Sequence, residues 1–125
     1  MNKQTIVFID DEPDILIVSV FRLKKMGYRV LTAIDGEQGL NLIRREMPCM
    51  VFLDLIMPGK DGYQVCRELK ADNLTSHIPV ILFTAGEENN VPQAVKDTGA
   101  DGYLLKPFMP EELLGLVKKH MPDNG

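Results

Sequence analysis

Five polar residues stand directly after short apolar runs, and their types suit phosphoryl chemistry. Asp10 and Asp11 follow Thr5–Ile9, Asp54 follows Met50–Leu53, Thr84 follows Pro79–Phe83, and Lys106 follows Tyr103–Leu105. If the runs are neighbouring strands, three carboxylates converge on one sheet edge. Unit charges about 4 Å apart repel by about 4 kcal/mol at an effective dielectric of 20. Such a gathering requires compensation by a hard divalent cation, here inferred as Mg²⁺, or by a cationic side chain, which Lys106 supplies. An Asp carboxylate can act as a nucleophile and carry an acyl phosphate. A metal ion, a lysine and a hydroxyl would then neutralise its phosphoryl oxygens. The bland alternative is that each Asp only caps a helix or forms a turn. That explains any one of them better than it explains all of them with Thr84 and Lys106.

The elements that must position these groups alternate along the chain. Strands are expected at 5–9, 29–33, 50–53, 79–83 and 103–105. Helices are expected from about 13 to 26, 36 to 47, 63 to 71, 91 to 98 and 110 to 120. Pro13 and Pro110 suit first turns, Gly27 suits a C-terminal cap, and Pro48 stops the second helix. The fourth helix, with Pro92 and few apolar residues, is expected to be short or mobile. In the first helix, a period of 100° per residue puts Ile15, Val18, Ser19, Leu23 and Met26 toward the core. Ile17, Val20 and Phe21 then form an outward apolar patch, a candidate docking surface. Five strand–helix units with apolar strands imply a parallel, doubly wound α/β sheet covered on both faces. Ligands of such sheets bind at the carboxyl ends of the strands.

Composition narrows the classes. The 125 residues carry 14 Lys+Arg and 18 Asp+Glu, a net charge of −4, with 45% hydrophobic residues. That suits one globular domain over 1–125 and argues against general nucleic-acid binding. No apolar run is long enough for a membrane span and no signal peptide is evident, so a cytoplasmic protein is expected. Cys49 and Cys66 form no metal-binding spacing and read as reduced, semi-buried thiols.

Asp10–Asp11, Leu53–Asp54 with the Met57-Pro58-Gly59-Lys60-Asp61-Gly62 loop, Thr84–Ala85 and Lys106-Pro107-Phe108 resemble the response-regulator receiver domain of two-component signalling, of the chemotaxis-regulator type. Successive site positions from Asp10 to Lys106 are 44, 30 and 22 residues apart, and the resemblance covers about residues 4 to 121. It implies a flavodoxin-like sheet of order 2-1-3-4-5 with five helices. Asp54 would be the phosphoacceptor for a histidine kinase or histidine phosphotransfer protein. Asp10, Asp11, Asp54 and the backbone carbonyl of Ile56 would hold Mg²⁺, with Mn²⁺ able to substitute. Thr84 and Lys106 would bind the phosphoryl group, and Tyr103 would be an aromatic switch controlling the face made by helix four, strand five and helix five. That face would act on an output partner or domain, and no separate substrate would be turned over. The resemblance also implies a cis Lys106–Pro107 bond.

Two other readings fare worse. An aspartyl-phosphate phosphatase of the haloacid dehalogenase type needs a second acid two residues after the nucleophile, where this chain has Ile56. A flavodoxin needs a phosphate loop after strand one, where Asp10-Asp11-Glu12 would repel a phosphate. Ile56 and Gly86 also stand where many receivers carry side chains that affect phosphate lifetime; here neither, barring Glu87 or Glu88, offers a group to orient water.

Overall fold

In the computed structural model, residues 4–57, 59–85 and 90–121 are described. Gly86, Glu87 and Glu88, and the side chain of Ile15, lie outside what is described. The strands are β1 (Thr5–Ile9), β2 (Arg29–Ala33), β3 (Met50–Asp54), β4 (Val80–Ala85) and β5 (Gly102–Lys106). The helices are α1 (Ile17–Lys25), α2 (Gly36–Glu46), α3 (Gly62–Ala71), α4 (Val91–Thr98) and α5 (Pro110–His120), with a 3₁₀ turn at Pro13–Leu16 before α1. All pairings are parallel, in the order β2-β1-β3-β4-β5. This is the five-stranded flavodoxin-like α/β fold expected.

Strand periodicity sorts the core into two halves. Val7 and Ile9 of β1 and Val51 and Leu53 of β3 pack with Leu40 and Ile43 of α2 and Val65 and Leu69 of α3. Ile6 and Phe8, and Met50 and Phe52, turn to the other face and pack with Leu23 of α1 and Leu113 and Val117 of α5. Strands buried on both faces explain why they read as unbroken apolar runs. Asp35 caps α2 by accepting from the Gln38 N–H, and Asp61 caps α3 in a reciprocal box with Gln64. These two acids have the bland capping role.

Two features differ from expectation. β3, β4 and β5 extend through Asp54, Ala85 and Lys106, so Asp54 pairs with Phe83 and Thr84 with Leu105 inside the ladder. These side chains are therefore fixed by strand hydrogen bonds, not by loops. The assignment of Val18 and Met26 to the core is wrong, because both are exposed. At 100° per residue within α1, Val18 lies about 140° from Leu23, and Met26 is the capping residue beyond the last turn. Leu16, at the end of the 3₁₀ turn, with Ser19 and Leu23 forms the inward line. Ile17 and Phe21 do face outward, but Val20 is half-buried against the core. The fourth helix has the expected bounds and is short at eight residues; Pro92 sits in its first turn, where no amide partner is needed, and Asn90 caps it. The Lys106–Pro107 bond is cis.

The turn into α3 is tightly constrained. A Cβ on Gly62 would overlap the Asp54 carbonyl oxygen and lie 2.7 Å from the Leu55 Cα, and backbone cannot yield as a side chain can. Gly115, within α5, meets nothing within 4 Å. Gly62→Ala should destabilise the protein by at least about 2 kcal/mol in urea unfolding, whereas Gly115→Ala should stabilise it by about 0.5–1 kcal/mol.

Candidate functional site

Strand periodicity places the site as it places the core. Asp10 lies two residues beyond Phe8, Asp54 two beyond Phe52, and Lys106 two beyond Leu104, all in columns facing α1 and α5. The three side chains therefore stand over an aromatic floor. Phe8 and Phe52 stack with centroids 4.8 Å apart, and Phe83 meets both edge-on. The Lys106 ammonium lies 4.9 Å from the Phe83 ring centroid, an attractive cation–π distance.

The two buried carboxylates are held in the same way. One oxygen of each accepts a backbone N–H two residues on: Asp10 Oδ1 from Glu12 at 2.9 Å, and Asp54 Oδ1 from Ile56 at 3.2 Å. The other oxygen of each accepts from Lys106 Nζ, at 3.2 Å for Asp10 Oδ2 and 3.1 Å for Asp54 Oδ2. One ammonium thus bridges two carboxylates 44 residues apart in sequence. Asp10 is 1% exposed. Its burial raises its carboxyl above the ordinary range, the charge of Asp54 adds to that, and the Glu12 N–H and Lys106 oppose it.

Asp11 is exposed and completes an acidic triad, in which one oxygen from each of Asp10, Asp11 and Asp54 lies within 4.8 Å of the others. Ligand oxygens around a bound Mg²⁺ are about 3–4 Å apart. The triad is therefore of the right hardness and nearly the right size for that ion, and its charge is only partly compensated by Lys106.

The remaining expected residues are placed differently. Thr84 is buried at the end of β4, one step beyond the residue paired with Asp54. Ile56 is exposed at the rim, with its N–H committed to Asp54. Tyr103 is exposed on β5, in the column opposite Lys106, and does not join the acids. Ile17 and Phe21 lie outside the triad on the outer side of α1. The Phe83 platform was missed in sequence; the signal for it was the alternation of β4, which sets Ile81 and Phe83 on the same face as Phe52. Cys49 and Cys66 are free thiols, and burial raises the pKa of each.

Residues 6–118 match the model of the response regulator receiver domain, so the chain belongs to that family. It is 43% identical over 118 residues to the "Probable transcriptional regulator ycf27" of Porphyridium aerugineum, covering 94% of this chain and 48% of that protein. The chain thus spans about half the length of the curated relatives it matches. Among solved structures, it is similar to the receiver domain of the sensor histidine kinase PA1611 of Pseudomonas aeruginosa, which holds a magnesium ion in its active-site cleft. The identity is 28%, the coverage 98% of this chain and 100% of that one, and the TM-score 0.85. It is also similar to the BeF3-activated DrrB receiver domain, at 34% identity, the same coverages and a TM-score of 0.83. Among the described residues no helix is long and apolar enough to cross a membrane.

Removing the bridging cation should expose the cost of the site. Lys106→Met leaves Asp10 and Asp54 facing each other without compensation. It should destabilise the metal-free protein by about 2 kcal/mol at neutral pH, less than for a fully enclosed pair because the site opens to solvent at Asp11. The loss should shrink as pH falls through the raised range of Asp10, because that carboxyl protonates and ceases to repel Asp54. Urea unfolding of wild type and variant at several pH values measures both.

Proposed function

We propose that this receiver is a phosphorylation switch in which Asp54 takes a phosphoryl group from a histidine kinase or histidine phosphotransfer protein. The observation that carries this reading is the double clamp on Asp10 and Asp54 by Lys106, with Asp11 open beside them. An Asp54 oxygen attacks phosphorus, the phosphorus–nitrogen bond of the donor phosphohistidine breaks, and the imidazole leaves with the electron pair and takes up a proton. The Ile56 N–H orients the Asp54 carboxylate during the attack. Lys106, 3.1 Å from Asp54, is placed to pair with a phosphoryl oxygen, and the Thr84 hydroxyl takes another. Asp10, Asp11, Asp54 and the Ile56 carbonyl would hold Mg²⁺ or Mn²⁺, which supplies positive charge to the transferring phosphoryl oxygens.

The readout we propose is a shift of Thr84 toward the phosphoryl group and an inward turn of Tyr103. That turn remodels the α4–β5–α5 face toward an output partner or domain. The exposure of Tyr103 gives it somewhere to move from. Phosphate selects among states the domain already samples. The protein then acts as a cytoplasmic switch formed by one receiver unit, not as an enzyme with a separate substrate. Its output, given relatives named as transcriptional regulators, lies beyond this unit.

Intact-mass spectrometry with phosphoramidate tests the chemistry. One phosphoryl group should add to the wild type with Mg²⁺ or Mn²⁺ present, and none with chelator or in Asp54→Asn. A full phosphate gain in Asp54→Asn would contradict the assignment. The outer side of α1 is the proposed docking surface for the phosphodonor protein, through Ile17 and Phe21; Val20 contributes only its exposed part, being packed inward. Ile17→Glu and Phe21→Glu should leave phosphoramidate labelling unchanged and slow transfer from the cognate phosphodonor protein at least tenfold.

A further inference from the structure

The edge of the sheet at β2 is open and poorly defended. β2 is the terminal strand, paired only with β1 in a continuous five-residue register, without bulge or proline. The Arg29 N–H donates to Gln4, and the Ala33 carbonyl accepts from Asp10, so residues 29, 31 and 33 direct their backbone groups toward β1. By strand alternation, the N–H and C=O of Val30 and Thr32 point away from the sheet. Exposed edges of this kind are usually blunted by proline, bulges or inward charges.

Grooves flank this edge on both faces of the sheet. On the α1 side, Ile17, Val20, Phe21 and Thr32, with Asp14 at one end, line a mainly apolar groove of about 340 Å³. It shares Lys24 with a second groove that runs on to Tyr28 and Arg29. On the α2 side, Gln38, Asn41 and Arg45 line a groove of about 300 Å³ that meets the first at Thr32. A strand added beside β2 would send alternate side chains into an apolar groove and a polar, basic one.

Charge selects the occupant. The residues lining these grooves include three basic side chains (Lys24, Arg29, Arg45) and one acidic one (Asp14), 3 − 1 = +2 in a chain of net −4. Arg29 and Arg45 share a single carboxylate, Glu46, at 2.6 and 3.1 Å. A second copy pairing β2 with β2 would set these like charges together, which is unfavourable. We propose that the β2 edge binds an extended acidic peptide segment of a partner protein, with apolar and acidic residues alternating, as a sixth strand. This use goes beyond phosphoryl transfer: it shares the Ile17 and Phe21 side chains with the proposed phosphodonor docking and adds the backbone amides of Val30 and Thr32, on which that docking does not depend.

The test uses a capped peptide of alternating valine and glutamate, followed by amide NMR shifts on the whole protein. Shifts should concentrate at Val30, Leu31, Thr32 and the flanking grooves, and the peptide with lysine for glutamate should bind at least tenfold more weakly. Side chains and backbone groups both alternate, so all valine amides face one edge of the added strand and all glutamate amides the other. N-methylation of one set only should therefore weaken binding at least tenfold, and that of the other set should be tolerated. Thr32→Pro, which removes an outward N–H and no ladder bond, should weaken binding similarly. If that variant does not fold, the N-methylated pair decides alone. Shifts away from β2, equal binding of the lysine peptide, or equal effects of the two N-methylated sets would each overturn the proposal. Phosphoramidate labelling of Asp54 should be unaffected by the peptide.

Discussion

The ammonium of Lys106 between the carboxylates of Asp10 and Asp54 is the interaction on which the site depends. It joins β1, β3 and β5 above the Phe8, Phe52 and Phe83 rings, and the strand ladders bring the three residues close enough to meet. Burial removes water from Asp10, so its negative charge must be met by protein groups or a cation. The backbone N–H groups of Glu12 and Ile56 each satisfy one oxygen and fix the plane of each carboxylate. The free direction left to the cluster points toward Asp11 and solvent. A site built in this way is rigid where it must hold charge and open where charge must arrive.

Much of this was legible in the sequence because two periodicities coincide. Apolar runs of three to five residues marked the strands, those of β1, β3 and β4 buried on both faces, and the polar residue after each run marked the sheet edge. The same alternation that buries Phe8 and Phe52 aligns Asp10 and Asp54 above them. The face of α1 was not legible, because apolar residues stand all round the helix and the packed stripe is narrower than they suggest: Val18 lies about 100° from Ser19 and about 140° from Leu23. Val18 was therefore assigned inward and is exposed. The strand ends were read short at Asp54, Thr84 and Lys106, since polar residues resemble loop residues until ladder pairing is known. The position of Phe83 beneath Lys106 required the cross-strand register, which no single strand carries.

The molecule separates its charges. Acids gather at the carboxyl ends of β1 and β3, while basic residues concentrate along α1, β2 and the last turn of α2. Elsewhere ion pairs fasten loops to helices. Lys60, in the loop after β3, pairs with Glu68 of α3 at 2.8 Å and reaches Glu37 of α2 at 3.9 Å. At the opposite end, Lys70 donates to the carbonyls of Ser76 and Ile78 and pairs with Asp101, whose carboxylate also accepts the Val80 N–H. These contacts anchor the turns that carry the strands to their register, and through them the spacing of the acids.

The central claim is that folding assembles a carboxylate cluster still short of positive charge after Lys106 is counted. Its most direct test is the unfolding free energy of the metal-free protein as a function of free Mg²⁺ at constant ionic strength. Binding at one folded-state site predicts a rise that approaches about 1.4 kcal/mol for each tenfold increase in Mg²⁺ above the dissociation constant. A flat response, or one matched by Na⁺ at equal ionic strength, would contradict the account.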